Sequence, residues 1–434
     1  MKVCVVGLGK IGLPLAVQIA SKGFDVLGAD VSAKVVDLVN DGAAPFPGEA
    51  DLEERLGAVR AKGLLEATTD TTTAVASSDV VVVVVPLMTD EAGIPDFTAM
   101  DSATRDIASG LRPGSLVSYE TTLPVGTTRE RFAPMLETGS GLKVGEDVYL
   151  VHSPERVFSG RVFQDLRRYP KLVGGLDEAS TKAGVDFYEA VLDFDDRPDL
   201  ARPNGVWDMA SAEAAEMAKL AETTYRDVNI ALANEFAAFA EEAGIDVDEV
   251  IAASNSQPFS HIHRPGVAVG GHCIPVYPRF YLSGHPAAQL VETARRVNLA
   301  VPARAVGWVS SHLDGLVGKT VLILGAAYRG GVKETAYSGV FDLVRAVRAN
   351  GGDAVVSDPL YSADELSALG LVPWDGGAVE AVIVQTDHLE YRELGPEDVP
   401  GVRFVFDGRG IIDRSKWQGS GVALQTIGQG ATAP

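Results

Sequence analysis

The stretch Lys2-Val-Cys-Val-Val-Gly-Leu-Gly-Lys-Ile-Gly12, with Asp30 closing the next apolar run, decides the fold. Lys2 to Val6 has the length and β-branched content of a short buried strand. Gly7, Gly9 and Gly12 follow, then helical spacing from Pro14 to Ser21 ended by Gly23, then a second strand from Phe24 to Ala29. Each glycine has a mechanical reason. Gly7 makes the turn, Gly9 lets the backbone meet a pyrophosphate, and Gly12 lets helix and strand pack closely. The helix N-terminus offers amides and a positive dipole end to phosphates. Asp30 can accept from a ribose 2′-hydroxyl and would repel a 2′-phosphate, which favours NAD over NADP. A lone GxGxxG is weak, but strand, glycines, helix, strand and acid in that order are specific.

Further along, Val80 to Val85 is an unbroken β-branched run, as a parallel strand buried on both faces requires. Leu116 to Tyr119 and Val148 to Val151 predict further strands. Polar segments follow them, at Pro86-Leu87-Met88-Thr89, Glu120-Thr121-Thr122 and His152-Ser153-Pro154-Glu155-Arg156. Ligands of a doubly wound sheet bind outside the carboxyl ends of its strands, which puts Pro86, Thr122 and Glu155 on the cofactor side. Residues 165–204, with Pro198 and Pro203, have the mixed signals of a boundary.

A chain of 434 residues predicts two or three domains. Its formal charge of −22 argues against nucleic acid and anionic membrane surfaces as partners. Two cysteines give neither a disulfide framework nor metal-ligand spacing, so no metal is expected. With no signal peptide and no apolar run of membrane-spanning length, the chain is expected to be cytoplasmic. A short Gly/Ala/Pro tail after Ile427 is expected to fray.

Ser211 to Ala243 contains no Pro or Gly. Met217, Ala221, Thr224, Val228, Leu232 and Phe236 recur at helical steps. Such a helix is about 50 Å long, longer than one domain needs, and bridges domains or packs against its mate in a homodimer. Lys219 and Thr223 share one of its faces; a solvent-facing pair is the plain alternative. Beyond it comes Gly266-Val-Ala-Val-Gly-Gly-His-Cys-Ile-Pro275. Gly270 and Gly271 let the backbone approach a ligand, and Cys273 behind them is either a nucleophile or a small buried residue in a tight turn. A second α/β unit follows. Its strand Lys319–Leu324 leads into Gly325-Ala-Ala-Tyr-Arg-Gly-Gly331, which lacks the Lys-Ser/Thr ending of a P-loop. Arg329 and Arg409 are candidates for diphosphate contacts or plain surface arginines. The expected architecture is two Rossmann-like doubly wound domains joined by a long central helix. Residues 1–204 would bind NAD, 205–316 carry the dimer helix and cysteine, and 317–434 bind the second nucleotide.

Taken together, Val6 to Gly12, Thr121-Thr-Leu-Pro-Val-Gly-Thr127, Ser153-Pro-Glu-Arg156, Ala218-Lys-Leu220, Arg226-Asp-Val-Asn-Ile230, Gly270-Gly-His-Cys-Ile-Pro275 and Asp407-Gly-Arg409 resemble the UDP-glucose/GDP-mannose dehydrogenase family. These are NAD-dependent nucleotide-sugar 6-dehydrogenases, and the Ser-Pro-Glu-Arg and Gly-Gly-His-Cys-Ile-Pro wordings look more like the N-acetylhexosamine branch. The resemblance implies oxidation of a C6 hydroxyl to a carboxylate in two hydride transfers. It implies that Cys273 forms a thiohemiacetal and then a thioester, that Lys219 stabilises the oxyanion, and that Glu155 is the general base for hydrolysis. Thr122 would lie beside the nicotinamide, and Arg329 and Arg409 would contact the diphosphate. The competing expectations are a UDP- or dTDP-glucose 6-dehydrogenase, a two-electron enzyme, or a silent nucleotide-sugar binding protein.

Three departures bear on proton transfer. Tyr277 stands where the family usually has an aspartate, and Thr223 where it usually has an asparagine. Glu334-Thr-Ala-Tyr-Ser338 lacks a family arginine. A tyrosine is neutral near pH 7 and cannot replace a carboxylate base. His261, His263 and Arg264 lie in a loop from Asn255 where substrate contacts or plain surface are equally expected.

Overall fold

The computed structural model describes residues 1–90 and 93–429. They divide into two compact units: Met1–Glu222 with Arg279–Gly284, and Thr223–Pro278 with the chain from His285 onward. The first unit is built on an eight-stranded sheet. Its strands run in the order Val206–Asp208, Lys171–Gly175, Tyr149–His152, Leu116–Tyr119, Val80–Val83, Lys2–Val6, Asp25–Ala29 and Leu65–Thr68. Every pairing is parallel except that of Tyr149–His152 with Lys171–Gly175. Val80 to Val83 are all buried, as a strand covered on both faces demands. Register makes the strand ends coincide: Ala29 and Val83 pair with Val6, and Tyr119 links Val83 to His152. Gly7, Asp30, Glu120 and Ser153 are therefore the first residues off one sheet edge.

The stretch expected to be a boundary belongs to this sheet instead. Lys171–Gly175 is fully buried within it, and Glu178–Val191 packs as a helix on it. Pro170 in front and the pair Gly174-Gly175 behind hide this strand from pattern reading. Both glycines are steric necessities, because a Cβ at Gly174 would lie 1.9 Å from the Ser211 carbonyl.

The second unit has a five-stranded parallel sheet in the order Asp353–Ser357, Thr320–Leu324, Ala381–Val384, Phe404–Asp407, Ala423–Thr426. The helix Val340–Ala349 buries Val340, Leu343, Val344 and Val347 against it. Each such side chain contributes about 1.5–3 kcal/mol.

The long helix runs from Ala212 to Ala243, 32 residues, and stops at Gly244, whose φ of +68° ends α-helical geometry. Most of the apolar residues that mark its periodicity do not face the core. Met217, Ala221, Leu232 and Phe236 are exposed, with Tyr225 (55%) and Phe239 (68%) beside them. The buried side instead uses small and polar groups such as Ala215, Lys219, Thr223, Asp227 and Ala237. After Ile427 the chain does not fray at once. Gly428 donates its amide to Glu241 (2.8 Å) and accepts from Val247 N (2.9 Å). The rest of the tail, from 430 on, lies outside the described residues.

Candidate active site

The first glycine corner has the form its sequence requires. Gly7 sits at φ +94°, and a Cβ there would lie 2.9 Å from the Val84 carbonyl. A Cβ on Gly12 would strike the Gly7 carbonyl at 1.9 Å, whereas one on Gly9 would meet nothing within 4 Å. Helix Gly12–Ser21 has no side-chain cap, and its Leu13 amide donates to the Gly9 carbonyl (3.1 Å), which closes the turn at Gly9. Asp30 Oδ2 accepts from Leu8 N (2.8 Å) and Oδ1 from Ser32 N (2.9 Å). A carboxylate has about four lone-pair sites, so capacity for a ribose hydroxyl remains. An open glycine at the start of a helix and an acid at the neighbouring strand end fit NAD. Pro86 is exposed beyond the Val80–Val83 strand, and Thr122 is buried just past Glu120.

Glu155 is not a solvated loop acid. Its Oε2 takes a bond from Lys171 Nζ (2.8 Å) and its Oε1 from Arg156 N (2.7 Å). Lys171 also bonds Glu120 Oε2 at 2.9 Å, and Tyr188 donates its hydroxyl to Glu120 Oε1 at 2.6 Å. Ser118 Oγ lies 2.7 Å from that same hydroxyl. Burial works to raise the Glu155 pKa, but the Lys171 ammonium and the bonds to the carboxylate outweigh it and hold it below its usual range. Glu120, fully enclosed, is pushed up to about 7 by burial despite Lys171. Buried His152, held neutral by burial and by Lys171, has its pKa pushed down to about 3. Sequence reading missed Glu120, Lys171 and Tyr188; a lysine opening an apolar buried strand was the available signal.

Lys219 and Thr223 are 6% and 2% exposed, so the solvent-facing alternative is wrong for both. Between Lys219 and the start of the helix, Glu216 accepts from Gly126 N (2.6 Å), Thr128 N (2.9 Å) and Thr128 Oγ1 (2.7 Å). It fastens the Thr122 loop to the long helix within the first unit, and burial raises its pKa to about 7.

In the second unit Cys273 is exposed, which rules out the packed-thiol alternative; Cys4 is the buried cysteine, its thiol pushed up to about 12. The Cys273 carbonyl accepts from Val276 N (3.2 Å) and Tyr277 N (2.9 Å), which sets the cysteine at the N-terminal side of helix Tyr277–Gly284. The loop is fixed at several points. Asn234 Oδ1 accepts from Gly266 N (3.0 Å), and Val267 N donates to the Gly408 carbonyl (3.0 Å). Gly271 N donates to the Ala336 carbonyl (2.9 Å), and Arg295 Nη1 to the Ile274 carbonyl (3.1 Å). Gly270 is obligatory, since a Cβ would lie 2.6 Å from Tyr328 Cβ, and Gly271 needs its φ of +90°. The segment lacking the family arginine packs here too, with Glu334 3.7 Å from His272. Tyr277 is half-buried at the helix start. Asn229 holds the 261–263 backbone through the His261 carbonyl (2.7 Å) and His263 N (2.9 Å). Arg264 is exposed.

The second glycine corner repeats the first. Gly325, at φ +108°, is followed by amides of Ala326 and Ala327 that Asp358 Oδ2 accepts at 2.7 and 2.9 Å. Arg329 buries its Nε with no protein acceptor among the described residues, as suits a cation kept for a ligand. Arg409 is more constrained than a surface arginine. Its Nε bonds the Gln385 carbonyl (2.5 Å) and one Nη the Ala268 carbonyl (3.2 Å), so it ties the sheet end to the thiol loop.

Three family profiles match this chain in order. The NAD binding domain of the UDP-glucose/GDP-mannose dehydrogenase family covers residues 1–192, the central domain 213–300 and the UDP binding domain 322–414. The chain belongs to that family. It is an NAD-dependent nucleotide-sugar dehydrogenase. Among its relatives, the UDP-N-acetyl-D-mannosamine dehydrogenase of Pyrococcus horikoshii is 35% identical, over 99% of this chain and 100% of that one. An NDP-N-acetyl-D-galactosaminuronic acid dehydrogenase of Ralstonia solanacearum is 32% identical, over 94% and 96%. The solved P. horikoshii structure superposes with a TM-score of 0.88 at 33% identity, covering 99% of this chain and all of the other. The UDP-N-acetyl-mannosamine dehydrogenase of Staphylococcus aureus gives 0.83 at 30%, covering 99% and 98%.

Proposed function

We propose that this family member oxidises the C6 hydroxyl of a UDP-N-acetylhexosamine to the uronate, with UDP-N-acetyl-D-mannosamine the first candidate. The observation that carries the reading is Cys273, exposed at a helix N-terminus on a loop fixed on several sides. The UDP-N-acetyl-D-mannosamine and NDP-N-acetyl-D-galactosaminuronic acid dehydrogenases among the relatives support the sugar class. When bound, NAD⁺ supplies the hydride acceptor for both oxidations. Lys219 stabilises the alkoxide that develops at C6. The Cys273 thiolate adds to the aldehyde, and the tetrahedral adduct releases the second hydride readily, leaving a thioester. Glu155 takes the proton of the attacking water, a task suited to a carboxylate that stays ionised. Thr122 orients the nicotinamide side, and Arg329 and Arg409 take the diphosphate. In functional terms the chain works as three segments, 1–204, 205–316 and 317–434.

Absorbance at 340 nm with a panel of UDP-, GDP- and dTDP-sugars tests this. Two NADH per sugar and strongest turnover with a UDP-N-acetylhexosamine are expected. One NADH, with an aldehyde trapped by hydroxylamine, would instead establish the two-electron reaction that Tyr277 and Thr223 make conceivable.

The working species is proposed to be a homodimer through the long helix, on the strength of its exposed stripe Met217, Ala221, Tyr225, Leu232, Phe236 and Phe239. Such a contiguous apolar face is unusual on a free surface. The double variant Phe236→Glu, Phe239→Glu should sediment as a monomer; a native mass for the variant would rule out this interface.

A further inference from the structure

Glu120 is used by nothing in that scheme, yet it is a fully buried acid at a strand end, sharing a lysine with the base. Around it stand His152 at the end of the neighbouring strand Tyr149–His152, Glu155 from the loop after that strand, Lys171 from the next strand but one, and Tyr188 from helix Glu178–Val191. The two carboxyls share one ammonium, Lys171 Nζ lying 2.9 Å from Glu120 and 2.8 Å from Glu155. Two acids and one ammonium cannot all be satisfied in the fully ionised state, so the cluster has room for one more proton. Such a buried network would be costly if it served packing alone, since an apolar replacement is often as stable.

We propose that Glu120 is the store for the hydrolytic proton: Glu155 takes it from water and passes it to Glu120 across their shared contact at Lys171. This rests on Glu155 being the base. As water adds to the thioester carbonyl, the C–O bond forms, one O–H bond breaks, and its proton moves to Glu155. Collapse of the adduct breaks the C–S bond and expels the Cys273 thiolate. The product acid loses its other proton to solvent, and nothing is oxidised or reduced. Transfer from Glu155 to ionised Glu120 then restores the base, and Glu120 gives that proton up to solvent before the next turnover. Glu120 is a positioning residue, acting only through Glu155. Its burial-raised pKa of about 7 places the change within the working range, with hydrolysis speeding up as rising pH ionises it.

The test is the lifetime of the acyl-enzyme, formed with UDP-N-acetyl-D-mannosamine and NAD⁺, quenched in acid and read by intact mass between pH 5.5 and 9. In the unsubstituted protein its decay should accelerate through neutral pH. Glu120→Gln should hold decay at the low-pH rate, about tenfold slower at pH 8.5, while the first hydride transfer and KM stay unchanged. Tyr188→Phe removes a donor that favours ionised Glu120, so the same rise should move to higher pH. A rise that persists at its original midpoint in Glu120→Gln overturns the proposal. If that variant does not fold, an unshifted midpoint in Tyr188→Phe does so instead. Glu155→Gln separates the two ideas: undiminished decay there, or no acyl-enzyme at all, sinks the parent reading, whereas slow decay with a native-like Glu120→Gln sinks only this one.

Discussion

Replacing Cys273 with serine is expected to lower four-electron turnover by at least ~10³-fold while nucleotide-sugar binding changes by about twofold or less. Sulfur is the stronger nucleophile toward an aldehyde, whereas a serine hydroxyl needs a base to take its proton. An ester, were one formed, would also be a poorer acyl donor than a thioester. The substitution changes one atom in a loop whose bonds at Gly266, Val267, Gly271 and Ile274 do not involve the side chain. Binding measured by calorimetry with UDP-N-acetyl-D-mannosamine therefore reads the same loop in both proteins. A Cys273→Ser enzyme at near-normal rate would remove the covalent mechanism.

The second large effect is expected at Arg295→Leu. Arg295 is 8% exposed on its side chain and pairs with fully buried Asp227 at 3.1 Å. Asp227 also takes Asn298 Nδ2 at 2.8 Å, and Asn298 Oδ1 takes Asn234 Nδ2 at 2.9 Å, so one polar chain links the pair to the Gly266 end of the thiol loop. Removing the cation leaves a buried charge uncompensated, at about 3–5 kcal/mol in urea unfolding. The sign with pH follows from Asp227. Burial already raises its folded pKa despite Arg295, and loss of Arg295 raises it further. The variant is then least impaired at low pH, where the acid is neutral, and loses stability as pH rises through that folded pKa. Because the Ile274 carbonyl loses its donor, Cys273 should also react with a disulfide reagent at a changed rate, with buried Cys4 as the internal silent thiol. Unaltered stability and thiol reactivity together would show that the pair does not hold the loop.

The glycine corners were legible in the sequence because each glycine answers a backbone need that no side chain meets. The long helix was legible too, since Pro and Gly mark its limits. What its pattern could not say was which stripe meets the core: the helix buries Lys219, Glu216 and Asp227 and leaves Phe236 and Phe239 outside. A hydrophobic period identifies a helix but not its partner, and the polar face here is stabilised by bonds to residues far along the chain. Glu120 and Lys171 escaped for a related reason. They lie 51 residues apart, on strands brought together by sheet order, and one of those strands is masked by Pro170 and two glycines. Cys273 needed context, since its own residue type does not separate an exposed thiol from a packed one.

The two glycine corners, alike in backbone, differ in how full their acids are. Asp30 receives one amide on each oxygen. Asp358 receives Ala326 N, Ala327 N and His388 Nε2 on Oδ2 and Leu360 N on Oδ1, so its lone pairs are spoken for. The two corners thus share a backbone turn and differ in how much acceptor capacity the acid keeps. The strand order at the corner is the same in both, and the second has an imidazole, that of His388, laid across the acid. With NAD at the first corner, Asp30 would keep acceptor capacity for a ribose hydroxyl, whereas a nucleotide at the second corner would have to be recognised by other groups.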